Sequence, residues 1–286
     1  MKLTDLADGL HPKISDAVYH EHLPALVSST AIGHVLRTPA HYKAWLDETE
    51  DDDTSKARRF GRAFHCCTLE PEVFTKKYAV EPDFGSCRKN DADGTTTEQG
   101  KVNKDRRDRW RAEHAFAELV TANDWTAITG MARALREHPI AGKMLTGGES
   151  ELTALWTDEE TGLRSKARAD YHRADLRTIF DLKTATDASF DEFQRSVGKH
   201  GYHRQRVHYG DGFAALGAPI DNFVFIVVEK TPPYAVALYV LDAAAVARAR
   251  IDVATAKTQL AECIRMNEFP AYSPSIQTMS LPKWAA

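Results

Sequence analysis

Only four cysteines, Cys66, Cys67, Cys87 and Cys263, occur in the 286 residues. No two of them stand in a CxxC spacing, which excludes a zinc knuckle. One adjacent pair plus two distant thiols does not make a disulfide framework either. Free, mostly buried thiols are expected instead. No apolar run approaches the roughly 18 to 20 residues that span a bilayer, and the opening "MKLTDLADGLHPKISD" lacks the apolar core of a secretory signal. A soluble cytoplasmic protein with no membrane partner is therefore expected. The pattern GxxxxGK[ST] is absent, which argues against a built-in ATP-driven motor. The net charge of −4 is not that of a simple basic coat for nucleic acid.

What is present is an ordinary globular composition. Hydrophobic residues make up 43% and charged residues 27%, so neither disorder nor a fibrous class is indicated. The charge is uneven: residues 1 to 54 hold ten acids against four Lys or Arg, while residues 160 to 210 hold ten Lys or Arg against seven acids, with four histidines besides. A local basic region in an acidic chain can focus a polyanion on one cleft, although solvated faces often show such imbalances.

The N-terminal part reads as helical, with Ser28 or Ser29 as cap and Ile32, Val35, Leu36, Tyr42 and Trp45 at near-helical intervals around a Pro39 break. "KARRFGRAFHCCTLEPEVF" continues it, Phe60, Ala63, Phe64 and Cys67 marking one face and His65 lying on the same helix. Residues 82 to 104 read as a long loop. Helices are expected at about 105 to 120 and 124 to 146, the latter broken at Pro139. The texture then turns to β. "SELTALWTD", "GLRSKARADYH" and "LRTIFDLKT" form an antiparallel meander, followed by helices near 187 to 217, strands "NFVFIVVEK" and "YAVALYVL", and a helix over 242 to 267. The core order αβββαββα predicts an α/β fold with a mixed sheet flanked by helices. The division is one domain: 1–146 mainly helical, 147–267 the sheet core, and 268–286 a tail.

Side chains two apart on a strand share a face, so Asp181 and Lys183 point the same way at the end of the hydrophobic run "TIFDLK". Asp170 ends the preceding strand, at the separation that brings two hairpin strand ends together. Alone, D-x-K is a surface pair worth about 0 to 1 kcal/mol. In an apolar setting it needs a partner or a metal. Two carboxylates with open positions suit Mg²⁺, with Mn²⁺ as substitute, and such ions commonly work on phosphates. "QRVHY" places Gln205 and Tyr209 on one helix face. His65, taken alone, reads more readily as a satisfied core residue than as a ligand.

In order, G-x-x-x-H at Gly61 to His65, the Asp closing "KARAD", D-x-K at Asp181 to Lys183 and Q-x-x-x-Y at Gln205 to Tyr209 resemble the RecB-like branch of the PD-(D/E)XK nuclease superfamily. "STAIGHVLRTPAHYKAW", "GRAFHCCTLEPEVF", "FDLKTATDASFDEF" and "FIVVEKTPPYAVALYVL" extend the likeness to the RecE, or exonuclease VIII, family over residues 14 to 265. Ala169 and Ala167 depart from the Pro and Gly common in that pattern, but neither position supplies a ligand through its side chain. The four-cysteine iron–sulfur arrangement of some relatives is absent.

The resemblance implies a restriction-endonuclease-like fold and metal-dependent phosphodiester hydrolysis. His65, Asp170, Asp181 and the Leu182 backbone carbonyl would be metal ligands, and Glu70 a further ligand or support. Lys183 would orient water, and Gln205 with Tyr209 would position phosphate. Arg164, Lys166, Arg168, Arg204 and Arg206 are candidate DNA contacts. The implied substrate is double-stranded DNA ends, degraded 5′ to 3′ to leave 3′ tails for a RecT-like annealing protein. The implied assembly is a ring-shaped homo-oligomer, trimer or tetramer, without ATP. An endonuclease or single-strand nuclease, or an inert DNA-binding module, would share the fold.

Overall fold

The computed structural model describes residues 2–20, 26–47, 56–85 and 98–281. In chain order the elements are β1 (Gly9–His11), α1 (Asp16–Tyr19), α2 (Ser29–Arg37), α3 (Pro39–Asp47), α4 (Lys56–Leu69), α5 (Pro71–Lys77), β2 (Tyr78–Val80), α6 (Glu98–Glu113), β3 (Glu118–Val120), α7 (Ala122–Glu137) and α8 (Ala141–Met144). The second half adds β4 (Glu149–Thr157), β5 (Arg164–Arg173), β6 (Thr178–Ala185), α9 (Phe190–His200), α10 (Tyr202–Ala215), β7 (Asn222–Glu229), β8 (Val236–Tyr239) and α11 (Ala243–Met266).

The expected meander forms, and the core order is as the sequence predicts. Six strands make one mixed sheet in the order β1-β4-β5-β6-β7-β8, in which only the β6–β7 pair is parallel. That parallel step requires a crossover, which α9 and α10 supply. Gly201, at φ +72 between these helices, makes the left-handed turn that a residue with a Cβ adopts only at a cost.

Alternation along β6 sorts its side chains into two layers. Phe180 and Leu182 pack with Phe64 of α4 and with Ile128 and Met131 of α7. Ile179 packs with Phe193 of α9 and Phe213 of α10 on the other side. Burying each such large apolar side chain contributes roughly 1.5–3 kcal/mol. A third cluster joins α2, α3 and α11 through Ile32, Tyr42 and Val253.

Three details depart from the sequence reading. The helix expected to run to 120 ends at Glu113, and Glu118–Val120 instead pairs in parallel with Tyr78–Val80, with Leu119 exposed rather than facing a core. Of the expected loop over 82 to 104, residues 98–104 are already helical, and residues 86–97, Cys87 among them, lie outside the described residues. The three-residue β1 was not foreseen; it pairs with β4 and brings the N-terminal segment onto the sheet. Cys66, Cys67 and Cys263 are free, buried thiols as expected. No helix among the described residues is long and apolar enough to cross a membrane.

Candidate active site

β5 and β6 pair over only three rungs, the last being Tyr171 with Phe180. The next rung would set Asp170 against Asp181, and there the strands part. Asp170 fills the opening: its Oδ2 accepts a hydrogen bond of 2.7 Å from the Leu182 backbone N–H. On β4, the rung between Ser150–Tyr171 and Leu152–Ala169 sets Glu151 against Asp170. Glu151 has φ +51, a left-handed conformation in a residue with a full side chain. Such a backbone costs of order 1–3 kcal/mol and persists where the surroundings enforce it. The layer preference of β5 breaks at the same place: Ala169 belongs to the α9/α10 layer, and Tyr171, two residues on, to the α4/α7 layer.

His65 arrives from the middle of α4. Its Nε2 lies 3.1 Å from the Leu182 carbonyl oxygen and its Nδ1 3.7 Å from Asp170 Oδ2. A proton on Nε2, donated to that carbonyl, leaves the Nδ1 lone pair facing the carboxylates, the usual way a backbone oxygen fixes a ligand histidine. One ligand atom each from His65, Glu151 and Asp170 lies within 4.8 Å of the other two. Two carboxylates and one imidazole are a donor set that could hold a divalent metal ion.

Asp181 stands beside this trio. It is fully buried; Oδ1 accepts a 2.7 Å hydrogen bond from Gln205 Nε2, while Oδ2 pairs with the Lys183 ammonium. Gln205 Oε1 in turn accepts from Lys183 Nζ at 3.3 Å, and the ammonium lies 4.5 Å from the Tyr202 ring centroid. Burial, reinforced by Asp170, raises the Asp181 pKa to about 6 against the pull of Lys183. Burial also works against the Lys183 charge, but Asp181 and Asp170 overcome it and hold that ammonium above the ordinary lysine value. Burial and then the Asp170 charge push Glu151 up to about 8, with Arg168 opposing. One imidazole and two carboxylates converge here, and a bound cation would stabilise the charged form of a carboxyl that burial pushes upward, as at Glu151. The residues present therefore fit a divalent metal.

A cleft of about 310 Å³ opens over the trio, its walls including Arg58, Arg62, His65, Glu70, Asp170 and Tyr209. Tyr209 is nearly buried and lines the cleft. Glu70 borders the cleft but is outside the three-residue group. The Leu182 carbonyl faces His65, so it supports a ligand before it can be one itself.

The expected phosphate contacts on β5 need correction. Arg164 donates to the Thr4 and Leu6 carbonyls and pairs with Asp8. Lys166 Nζ donates to the Tyr19 carbonyl at 2.7 Å. Arg168 donates to the Ile14 carbonyl, Asp16 and Thr153. The alternation R-x-K-x-R reads as a solvated basic face, yet the N-terminal segment covers it. Arg204 folds over Gly201, and Arg206 lies by Gly210 and Ile220 on the side facing Arg250 of α11, so neither lines the cleft. Of the five, Arg168 alone lines the cleft, its guanidinium already committed to the N-terminal segment, and the cleft also receives Arg58 and Arg62, one helical turn apart and one turn before His65 on α4. An Arg168→Met change is expected to lower stability by about 3 kcal/mol, as when one partner of a buried ion pair is removed. Urea unfolding reads this; unchanged stability would contradict the structural role.

Sequence reasoning missed Glu151, Arg58 and Arg62. A lone glutamate at a strand start carries no pattern of its own. The spacing Arg58, Arg62, His65 does share one helical face, and was the available signal.

No curated protein matches the sequence. Among solved structures, the chain is similar in fold to a protein from Eubacterium rectale provisionally named an exonuclease, at 14% identity and TM-score 0.52, covering 93% of this chain and 97% of that one. A phage-related exonuclease from Haemophilus somnus aligns at 14% identity and TM-score 0.33, covering 65% of this chain and 92% of that one, too loosely to carry an argument. Residues 28–282 match the PDDEXK-like domain of unknown function, DUF3799. That span includes every strand from β4 to β8 and all of His65, Glu151, Asp170, Asp181 and Lys183, so the mixed sheet, the D-x-K strand and the family match agree: this chain belongs to the PDDEXK-like DUF3799 family.

Proposed function

We propose that the protein is a metal-dependent nuclease that hydrolyses DNA phosphodiesters from duplex ends. The observation that carries this reading is the convergence of His65, Glu151 and Asp170 beside the Asp181–Lys183–Gln205 cluster. Phosphodiester hydrolysis needs neutralised phosphate oxygens, an oriented water and a stabilised leaving oxygen. The chemistry a divalent ion supplies when bound here is charge neutralisation at the phosphate and a more acidic water.

The chain's own residues do the rest. His65, Glu151 and Asp170 would hold the ion, Mg²⁺ or Mn²⁺, and Asp181 either adds a ligand oxygen or keeps Lys183 in place. Lys183 is held charged, so it donates hydrogen bonds to water or phosphate and does not act as a base. Gln205 fixes the rotamers of both Asp181 and Lys183. Arg58 and Arg62 approach the phosphate from α4, which orients the strand without reading sequence. If they do so, Arg58→Met and Arg62→Met each reduce the salt dependence of DNA binding by about one phosphate contact, while Arg168→Met leaves it unchanged.

Action at duplex ends is supported by the resemblance to the RecE family. The 5′-to-3′ polarity, the 3′ tails passed to a RecT-like annealing protein and a ring-shaped trimer or tetramer are supported by the resemblance in "GRAFH", "KARAD", "DLK" and "QRVHY". The test is digestion of linear duplex labelled at 5′ or 3′ ends beside covalently closed circles with Mg²⁺. Early release of 5′ label with circles intact is expected; rapid cutting of circles overturns the end-specific reading.

A further inference from the structure

The sheet ends at β8, and among the described residues no strand pairs with its outer side. The Glu229 N–H donates to the Ala235 carbonyl at 3.0 Å, so Ala235, Ala237 and Tyr239 turn their backbone groups to β7, while Val236 and Leu238 turn theirs outward. Such an edge is normally blunted by charge or proline. From Ala235 to Leu241 there is neither, and Val240 is exposed. A second uncovered segment follows α11. Phe269 stacks on Tyr42, the Pro270 carbonyl accepts from the Ala40 N–H, and Tyr272 meets His41 edge-on. Beyond that anchor Ile276 is fully exposed, Met279 91% exposed and Leu281 73% exposed. One exposed apolar side chain is ordinary, but three within six residues form a patch. Residues 275–281, "SIQTMSL", hold no charge, Gly or Pro, a composition that pairs readily as a strand. They lie inside the family match, which runs to residue 282.

We infer that residues 275–281 of one copy add a strand to the outer side of β8 in a second copy. One chain carries both halves of the contact: an uncovered edge and an uncovered segment able to pair with it. The two do not meet within a copy, because α11, 24 residues and about 36 Å long, carries the chain away from β8 before the tail begins. Side-chain alternation fits as well. β8 presents Val236 and Leu238 to the α4/α7 layer and Ala237 and Tyr239 to the α9/α10 layer, and a strand added to the same sheet sets Met279 and Leu281 on one layer and Ile276 on the other. Main-chain hydrogen bonds hold such an added strand, and the alternate side chains give it register. Edge to tail is a head-to-tail contact, which repeats from copy to copy and closes into a ring where the rotation allows. It uses none of the metal-site residues, so its failure would leave the nuclease reading untouched.

The experiment is gel filtration with light scattering on the full chain at micromolar concentration. Wild type should run at a multiple of the single-chain mass. A tail variant carrying Ile276→Lys, Met279→Lys and Leu281→Lys should run as a single chain, and so should an edge variant, Leu238→Pro, which deletes an outward N–H. Mixed in equal amounts, the two should form a complex of two chains, because the edge is intact in one and the tail in the other. Val240→Lys, at an exposed position, should weaken self-association at least about tenfold, and it replaces Leu238→Pro in the mixture if that variant lacks the urea transition of wild type. A single-chain wild type, whose tail then serves a different protein or none, would overturn the inference. So would a tail variant that still self-associates, or a mixture of folded variants that stays at the single-chain mass.

Discussion

Asp170→Asn and Lys183→Met should each lower metal-dependent DNA cleavage by at least about 10³-fold, the scale on which preorganised charge in a hydrolytic site acts, while binding of linear duplex persists. Asp170 is the hub of the site. One of its oxygens accepts the Leu182 N–H, it lies near His65 Nδ1, and its charge raises both Asp181 and Glu151. Asparagine keeps the shape and can still accept from Leu182, so the loss reports on charge and not on folding. Lys183→Met keeps a stem of similar length against the Tyr202 ring but removes the ammonium from Asp181 and Gln205. Single-turnover rates with saturating enzyme, beside gel-shift binding, separate chemistry from affinity. Cleavage within about tenfold of wild type by either variant would remove these residues from the site.

The second large effect is a trade of stability against metal binding at Glu151. Its folded-state pKa of about 8 exceeds the unfolded value near 4.5, so the folded protein binds this proton more tightly. The sign follows: as pH rises from about 4.5 to 8, the carboxylate increasingly destabilises the metal-free fold, by several kcal/mol as an order of magnitude at the upper end. Glu151→Gln should therefore raise the Tm of metal-free protein at pH 8, and the gain should vanish towards pH 4.5. The same change deletes a ligand, so Mn²⁺ should raise the Tm of wild type and barely move the variant. Because the carboxyl must lose its proton to bind an ion, the wild-type Mn²⁺ shift should be larger at pH 8 than at pH 6. Differential scanning calorimetry at pH 8 and 6 with and without Mn²⁺, and at pH 4.5 without it, reads all of these. A variant less stable than wild type at pH 8 without metal would contradict the assigned burden.

Much of this site was legible in the sequence, and the limits have physical causes. D-x-K was readable because strand periodicity puts Asp181 and Lys183 on one face, and the hairpin spacing put Asp170 opposite. His65 could not be raised above a core histidine by its own helix; its role depends on α4 lying against β6, a long-range contact. Glu151 was invisible because its placement depends on a left-handed backbone that breaks strand alternation, which no local pattern announces. The basic run on β5 misled for the reverse reason. Period-two charge is the pattern of a solvated face, and nothing in residues 164 to 168 tells that residues 2–20 return to cover it. Three-residue strands such as β1 carry too few positions to show a period, although β1 is what starts that return.

Cleavage of linear duplex followed strand by strand, with Mg²⁺ and with chelator, in wild-type and Asp170→Asn protein, tests the central claim most directly. The account predicts metal-dependent shortening from the ends by wild type, none by the variant, and no shortening in chelator. Linear duplex that stays intact with Mg²⁺ and with Mn²⁺, or cleavage that survives Asp170→Asn, would contradict it.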